Sequence, residues 1–352
     1  MGKKPPYTIT EKAADYLAKI VETAIKLELG TSFKRDIQLH RENRVRTIYS
    51  SLAIEGNRLT LDDVADAIEG KAVAGSQADV KEVRNAYEAY DRIMSFDPYS
   101  IKDFLKAHSL MTGGLIRESG VFRSGDVGVF DGGKVIHVGA RPQFVSGLME
   151  ELFQWAKESE VHPVLKSAIL HYEIETIHPF EDGNGRMGRL WQTLVLAKWK
   201  EIFAWIPMEA VLFENKPQYY DAIETSRKVN DSRAFIEFTL SSIAEIVSEQ
   251  EKHQEKHQDK HQDKRQDKRL ADFNDAQRAI LSALGSETLS RREIFAAIGM
   301  SGDSRSFKRN ISPLMVGGLV EMTLPDKPNS RFQMYRITGR GREMLQGLSD
   351  EG

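Results

Sequence analysis

From Glu251 to Arg269 the chain reads EKHQ EKHQ DKHQ DKRQ DKR, a four-residue period without one apolar member. Such a run cannot bury a face, so no core continues through it. It is either a solvated helix or a disordered linker, and it divides the chain into an N-terminal and a C-terminal part. His253, His257 and His261 recur at i, i+4 and i+8, a spacing that could chelate a metal on a helix, but the repeat itself accounts for it. The expected divisions of the 352 residues are 1–100, 101–248, a charged linker 249–269 and a C-terminal domain 270–352.

The sequence is 40% hydrophobic overall, enough for a sizeable core, and net charge −3 gives no global attraction for nucleic acid. Any such binding falls to local basic patches. There is no cysteine, which excludes disulfides and thiolate metal sites and fits a reducing compartment. Met1 to Tyr7 is not followed by an apolar run of signal-peptide type. No stretch of about 18 uncharged apolar residues exists, so no membrane partner is expected. The expectation is a soluble cytoplasmic protein.

Helical spacing dominates before the repeat. Ala14, Leu17, Val21, Ala24 and Leu27 predict a helix over Glu11–Leu29. A second is expected from about Phe33 to Ile54, stopping at Gly56-Asn57, and a third opens at the N-cap Thr60. Lys81 to Met94 continues the pattern, and further helices run from Ile101 to Lys200. One interruption, Val121 to Val138, carries a hairpin signal: Val127–Phe130 and Val135–Val138 flank Asp131-Gly132-Gly133-Lys134. After the repeat, three short helices are followed by strands at Leu319–Leu324 and Phe332–Ile337, joined by a turn over Pro325–Asn329. That is the order of a winged helix-turn-helix. Its third helix carries Arg305, Lys308 and Arg309.

The chemistry concentrates in His178-Pro179-Phe180-Glu181-Asp182-Gly183-Asn184-Gly185-Arg186-Met187-Gly188-Arg189. Gly183-Asn184-Gly185 permits left-handed backbone angles and lets N–H groups converge on an anion. A helix begins directly afterwards and adds its positive end. Arg186 and Arg189, three apart, can both fork onto phosphate oxygens. Asp182 is a hard oxygen ligand suited to a Mg²⁺ that bridges phosphates. His178 can act as a base near neutral pH. The set reads as a polyphosphate cradle with a base beside it.

This segment resembles the motif of the Fic family, His-x-Phe-x-Asp/Glu-Gly-Asn-Gly-Arg-x-x-Arg, at every fixed position. The resemblance covers roughly Thr47 to Leu240 and takes in Gly120-Val121-Phe122-Arg123 and the hairpin. It implies a mainly α fold, a Fic helical bundle with a β-hairpin flap, to which the element order after the repeat adds the C-terminal winged helix-turn-helix domain. It implies transfer of AMP from ATP to a Ser, Thr or Tyr hydroxyl of a protein, the chain itself included. His178 would take the hydroxyl proton, Asp182 would hold Mg²⁺, Gly183, Asn184 and Gly185 would hold phosphate oxygens, and Arg186 and Arg189 would face the β- and γ-phosphates. Phe180 reads as a core anchor. The flap, with Val127, Gly128, Val129, Val135, Ile136 and His137, would align a target segment by strand addition. Tyr219 and Tyr220 resemble adenosine-side residues, and a core role stands beside that reading. Ser51-Leu52-Ala53-Ile54-Glu55-Gly56 resembles the family's inhibitory helix. Glu55 would pair bidentately with Arg189 and block the γ-phosphate in cis.

Other chemistries fit the same residues less well. His171, Glu175 and His178 share a helix face and form one half of a di-iron site, but the sequence lacks a second Glu-x-x-His. No P-loop pattern occurs. Two alternatives stay open: a DNA-binding regulator whose Fic domain is a sensor or dimerisation module, and an enzyme that removes AMP. DNA or protein could bind the C-terminal domain, and a homodimer stays open.

Overall fold

The computed structural model describes residues 4–29, 37–131, 134–271, 273–325, 327–328, 330 and 332–349. The chain divides into two compact units, Met1–Glu255 and Lys256–Gly352.

In the first unit the helices are α1 (Glu11–Leu29), α2 (Ile37–Ile54), α3 (Leu61–Ile68), α4 (Gln77–Asp91), α5 (Ile101–Thr112), α6 (Pro142–Glu158), α7 (Pro163–Ile177), α8 (Asn184–Trp199), α9 (Met208–Glu214) and α10 (Lys216–Val229). A long helix, α11 (Arg233–Ala271), begins in this unit and carries the polar repeat as helical backbone. Local chemistry sets several starts. Thr60 and Asp63 form a reciprocal capping box on α3, Ser76 caps α4, and Ser100 caps α5. The Ser76 cap explains why α4 starts four residues before the expected Lys81; beyond its C-cap Arg92 a separate 3₁₀ turn holds Ile93–Ser95.

The antiparallel pair α7 and α8 forms the centre. Trp191, Phe104, Phe153 and Phe180 pack ring against ring around it, with Phe104 and Trp191 centroids 4.9 Å apart. Both helices are buried nearly all round, so their burial follows no single apolar stripe. The hairpin is present as β1 (Gly128–Asp131) and β2 (Lys134–Val138), antiparallel, with a bulge between Val129 and Phe130. Its expected turn residues Gly132 and Gly133 lie outside the described residues.

The second unit has α12 (Asp275–Ser286), β3 (Leu289–Ser290), α13 (Arg291–Ala297), α14 (Ser304–Val316), β4 (Val320–Met322), β5 (Met334–Ile337) and α15 (Gly339–Ser349). The sheet order is β3-β5-β4, all antiparallel. The two-residue strand β3 leaves no signal in the sequence, because its length is below any detectable alternation. The expected turn at Pro325–Asn329 includes Asp326 and Asn329, which lie outside the described residues. Ile280, Leu284, Ile294, Phe295, Ile311, Leu314 and Tyr335 belong to a core of this unit's own.

Candidate active site

The loop joining α7 to α8 is closed by its own side chains. Asn184 Oδ1 accepts from the Phe180 N–H at 2.9 Å, and Asn184 Nδ2 donates to the Phe180 carbonyl at 3.0 Å. Phe180 is fully buried and stacks on His108, centroids 3.6 Å apart. His108 Nδ1 accepts from the Gly120 N–H at 3.0 Å, so its Nε2–H donates to the Asp182 carbonyl, also at 3.0 Å. Burial pushes the His108 imidazole down to about 4, which keeps it neutral for this bridging role.

His178 does not continue α7. It is the C-cap residue, with φ 55° and ψ 62° in the left-handed region, so it does not share the helix face of His171 and Glu175 as expected. Arg123 fixes that backbone: its Nε donates to the His178 carbonyl at 2.7 Å and its Nη1 to the Gly125 carbonyl at 2.7 Å. Its Nη2 reaches the Ala140 carbonyl, and its backbone N–H bonds the Pro179 carbonyl at 3.0 Å. One buried guanidinium therefore joins His178 to both ends of the hairpin. The sequence pointed to Arg123 only as part of a short pattern.

Gly183 takes φ 87° and opens α8, whose first N–H groups have no intrahelical partner. A Cβ at Gly185 would collide with the Glu55 carboxylate and come within 3.2 Å of Glu175 Oε1, so this glycine keeps the nest open. Asn184 was expected to hold phosphate oxygens; both atoms of its side-chain amide are engaged by Phe180.

Both arginines are buried and held by carboxylates. Arg186 Nη2 donates to Asp182 Oδ2 at 2.7 Å and Nη1 to Glu82 Oε1 at 3.1 Å. Arg189, 1% exposed, donates from Nη2 to Glu55 Oε1 at 2.7 Å and to the Ser51 carbonyl at 3.0 Å. Its Nε donates to Ser51 Oγ at 3.1 Å. The pairing with Glu55 is therefore single-pointed, not bidentate: Ser51 occupies the Nε–Nη2 edge, and the buried Nη1 has no hydrogen-bond partner. Burial works against the Arg189 charge, while Glu55, Tyr219 and Glu175 hold it on. Gly56, with φ 95°, follows Glu55 in the turn that ends α2, the helix that carries Ser51.

Glu175 lies beside this pair. Burial, and then the charge of Glu55, push its carboxyl up to about 7. The Tyr219 hydroxyl stands 3.2 Å from Glu175 Oε1 and 3.0 Å from His171 Nε2, and His171 Nδ1 donates to Gln192 Oε1 at 2.5 Å. Tyr219, 1% exposed, is thus a core residue and offers no ring face to a nucleotide, whereas Tyr220 is 43% exposed. In the hairpin, Gly128 pairs with Val138 and Val129 with His137, and Val127 accepts from the Gly139 N–H at 3.1 Å. Val135 and Ile136 follow in β2, where only backbone is described. Among the described residues no group of three or more His, Asp or Glu could hold a metal by itself.

Residues 98–196 match the Fic/DOC family, and residues 275–338 match the C-terminal domain of Filamentation induced by cAMP protein Fic-like. The crystal structure of a Fic family protein from Desulfovibrio desulfuricans G20 is 37% identical with a TM-score of 0.69, over 96% of this chain and 99% of that chain. Fic-1 (aa134 - 508) from C. elegans shares the fold at 21% identity and a TM-score of 0.58, over 71% of this chain and 73% of that one. Protein adenylyltransferase Fic of Aedes aegypti is 28% identical over 65% of this chain, and that of Nematostella vectensis 32% over 56%. The chain spans 44% and 46% of those two proteins.

Proposed function

Because the chain belongs to the Fic family, we propose that it transfers AMP from ATP to a Ser, Thr or Tyr hydroxyl of a protein, itself included, and that Glu55 restrains it in cis. The observation that carries the reading is His178 held in a left-handed cap at the edge of a helix-start nest, with Arg186 and Arg189 buried behind it.

The histidine ring faces the Glu175 carbonyl with Nδ1 at 3.4 Å. That contact favours the tautomer with the proton on Nδ1, which leaves Nε2 as the basic nitrogen. Nε2 would take the proton of the target hydroxyl. The hydroxyl oxygen would bond to the α-phosphorus as the bond to the bridging oxygen breaks and pyrophosphate leaves. The N–H groups opening α8 would hold phosphate oxygens, and Arg186 and Arg189 would balance their charge. Mg²⁺ binds through one or two carboxylates and fills its shell with phosphate oxygens and water, so the half-exposed Asp182 fits it. Bound there, the ion would neutralise charge between phosphates. Tyr220 is the aromatic left for the adenosine side. The open edges of the hairpin suit alignment of a target segment by strand addition.

The test is label transfer. Protein incubated with ATP labelled on the α-phosphate should gain label, and with ATP labelled on the γ-phosphate should not. Glu55→Gly should raise incorporation about tenfold or more, a change of about 1.4 kcal/mol. His178→Ala should lose it by about 10²-fold or more. Incorporation of γ-label, or transfer by His178→Ala within threefold of the parent, would overturn the reading.

One observation favours a second activity in the other unit. Exposed Arg305, Lys308 and Arg309 of α14, with Ser304, line a concavity of about 530 Å³. The order α12, β3, α13, α14, β4, β5 suits a winged helix with α14 as its reading helix. Duplex DNA is the partner this basic face fits.

A further inference from the structure

The short segment after α2 is tied down at more points than Glu55. Lys216 Nζ donates to the Ile54 carbonyl at 2.6 Å. Asn57 Nδ2 donates to Glu82 Oε2 at 2.9 Å and to the Asp79 carbonyl at 3.2 Å, while Asn57 Oδ1 accepts from the Leu59 N–H at 3.1 Å. The second oxygen of the same Glu82 carboxylate, Oε1, takes Arg186. Arg186 is only 3% exposed, both its Nη atoms are on carboxylates, and its buried Nε has no hydrogen-bond partner.

We propose that Glu82 is a second affinity-determining carboxylate, which competes with nucleotide phosphate for Arg186 as Glu55 competes for Arg189. The inference rests on the reading of Arg186 as a phosphate ligand. Charge supports competition over simple support. Before a metal joins Asp182, Asp182 and Glu82 set two negative charges against the one positive charge of Arg186, so an arriving polyphosphate meets a net negative cluster. Removing the Glu82 charge makes the cluster neutral. The bridge to Asn57 adds a mechanical link. Asn57 stands two residues beyond Glu55, so one stretch of chain holds Arg189 directly and reaches Arg186 through Glu82. Loss of Glu55 alone removes the carboxylate from Arg189 and leaves both carboxylates on Arg186.

The experiment uses the full chain in four forms: parent, Glu55→Gly, Glu82→Gln and the double variant. Glutamine keeps the size and one acceptor, so the fold is conserved while the charge is lost. Binding of a non-hydrolysable ATP analogue is measured by calorimetry, and amide exchange is followed over residues 52–59 without nucleotide. The expected result is affinity about fivefold or more tighter in the double variant than in Glu55→Gly, with faster exchange over that segment in Glu82→Gln. Unchanged or weaker affinity in the double variant, with Glu55→Gly still binding, would overturn the proposal and make Glu82 a support for Arg186. No nucleotide binding by any form would overturn the phosphate reading itself, and the competition with it. Unchanged exchange in Glu82→Gln would remove the link through Asn57.

Discussion

Glu173 shows what a single carboxylate costs when burial has no answer. It lies on α7, its Oε1 is cut off from solvent and has no hydrogen-bond partner, and burial pushes its carboxyl up to about 7 from an ordinary 4.5. A carboxyl raised in the folded state favours folding where it is protonated, and that contribution is lost as pH rises through its folded value. Glu173→Gln should therefore match the parent in stability near pH 4 and exceed it above pH 7. The gap corresponds to on the order of 3 kcal/mol. Denaturant melts of both proteins at the two pH values check this, and a gap that stays constant with pH would refute it. Residue types in the motif were legible, but their duties were not always. Asn184 reads as a phosphate ligand by pattern, yet two hydrogen bonds to Phe180 use its amide. A sequence names a side chain without saying whether its polar group or its backbone N–H faces a ligand. Tyr219 fails for a related reason: the adjacent aromatics on α10 point one inward and one outward, and spacing alone cannot say which.

At the scale of elements, helices were read from apolar period, and α2 marks where that signal thins. Its buried residues include Asn43, Arg44, Thr47, Ser50 and Ser51, so its inward face is polar. Arg44 lies over the Tyr90 and Trp205 rings, 5.5 and 5.0 Å from their centroids. Periodicity located this helix but could not say which side packs. The hairpin was legible from its turn and β-branched flanks, while its anchor was not. Arg123 gathers carbonyls from Gly125, Ala140 and His178, which meet only in three dimensions. A single ammonium cannot serve three carbonyls in the plane of a guanidinium fork. Arg123→Lys should thus leave affinity for an ATP analogue within about twofold, while AMP transfer falls by about tenfold or more, because only His178 and the flap lose their setting. Equal losses in binding and transfer would point to general unfolding of the site.

At the scale of the molecule, the polar repeat predicted a boundary, and the division between the compact units falls inside it, between Glu255 and Lys256. The C-terminal unit has its own core and three capped helix starts, at Asn274, Ser290 and Asp303. The fragment 270–352 should accordingly fold by itself and unfold cooperatively. If α14 meets duplex DNA, Arg305, Lys308 and Arg309 can each neutralise a phosphate. Three such contacts give a salt slope of about −2.7, so affinity should fall roughly 40-fold between 50 and 200 mM salt. Changing all three to Ala should flatten that slope and weaken binding across sequences alike, since phosphate contacts carry no base information. Titrations of the fragment with duplexes of two unrelated sequences, at both salt concentrations, test each part. Binding that ignores the triple change would move the contact off α14. No binding at low salt by a folded fragment would leave the basic concavity to a protein partner with an acidic face.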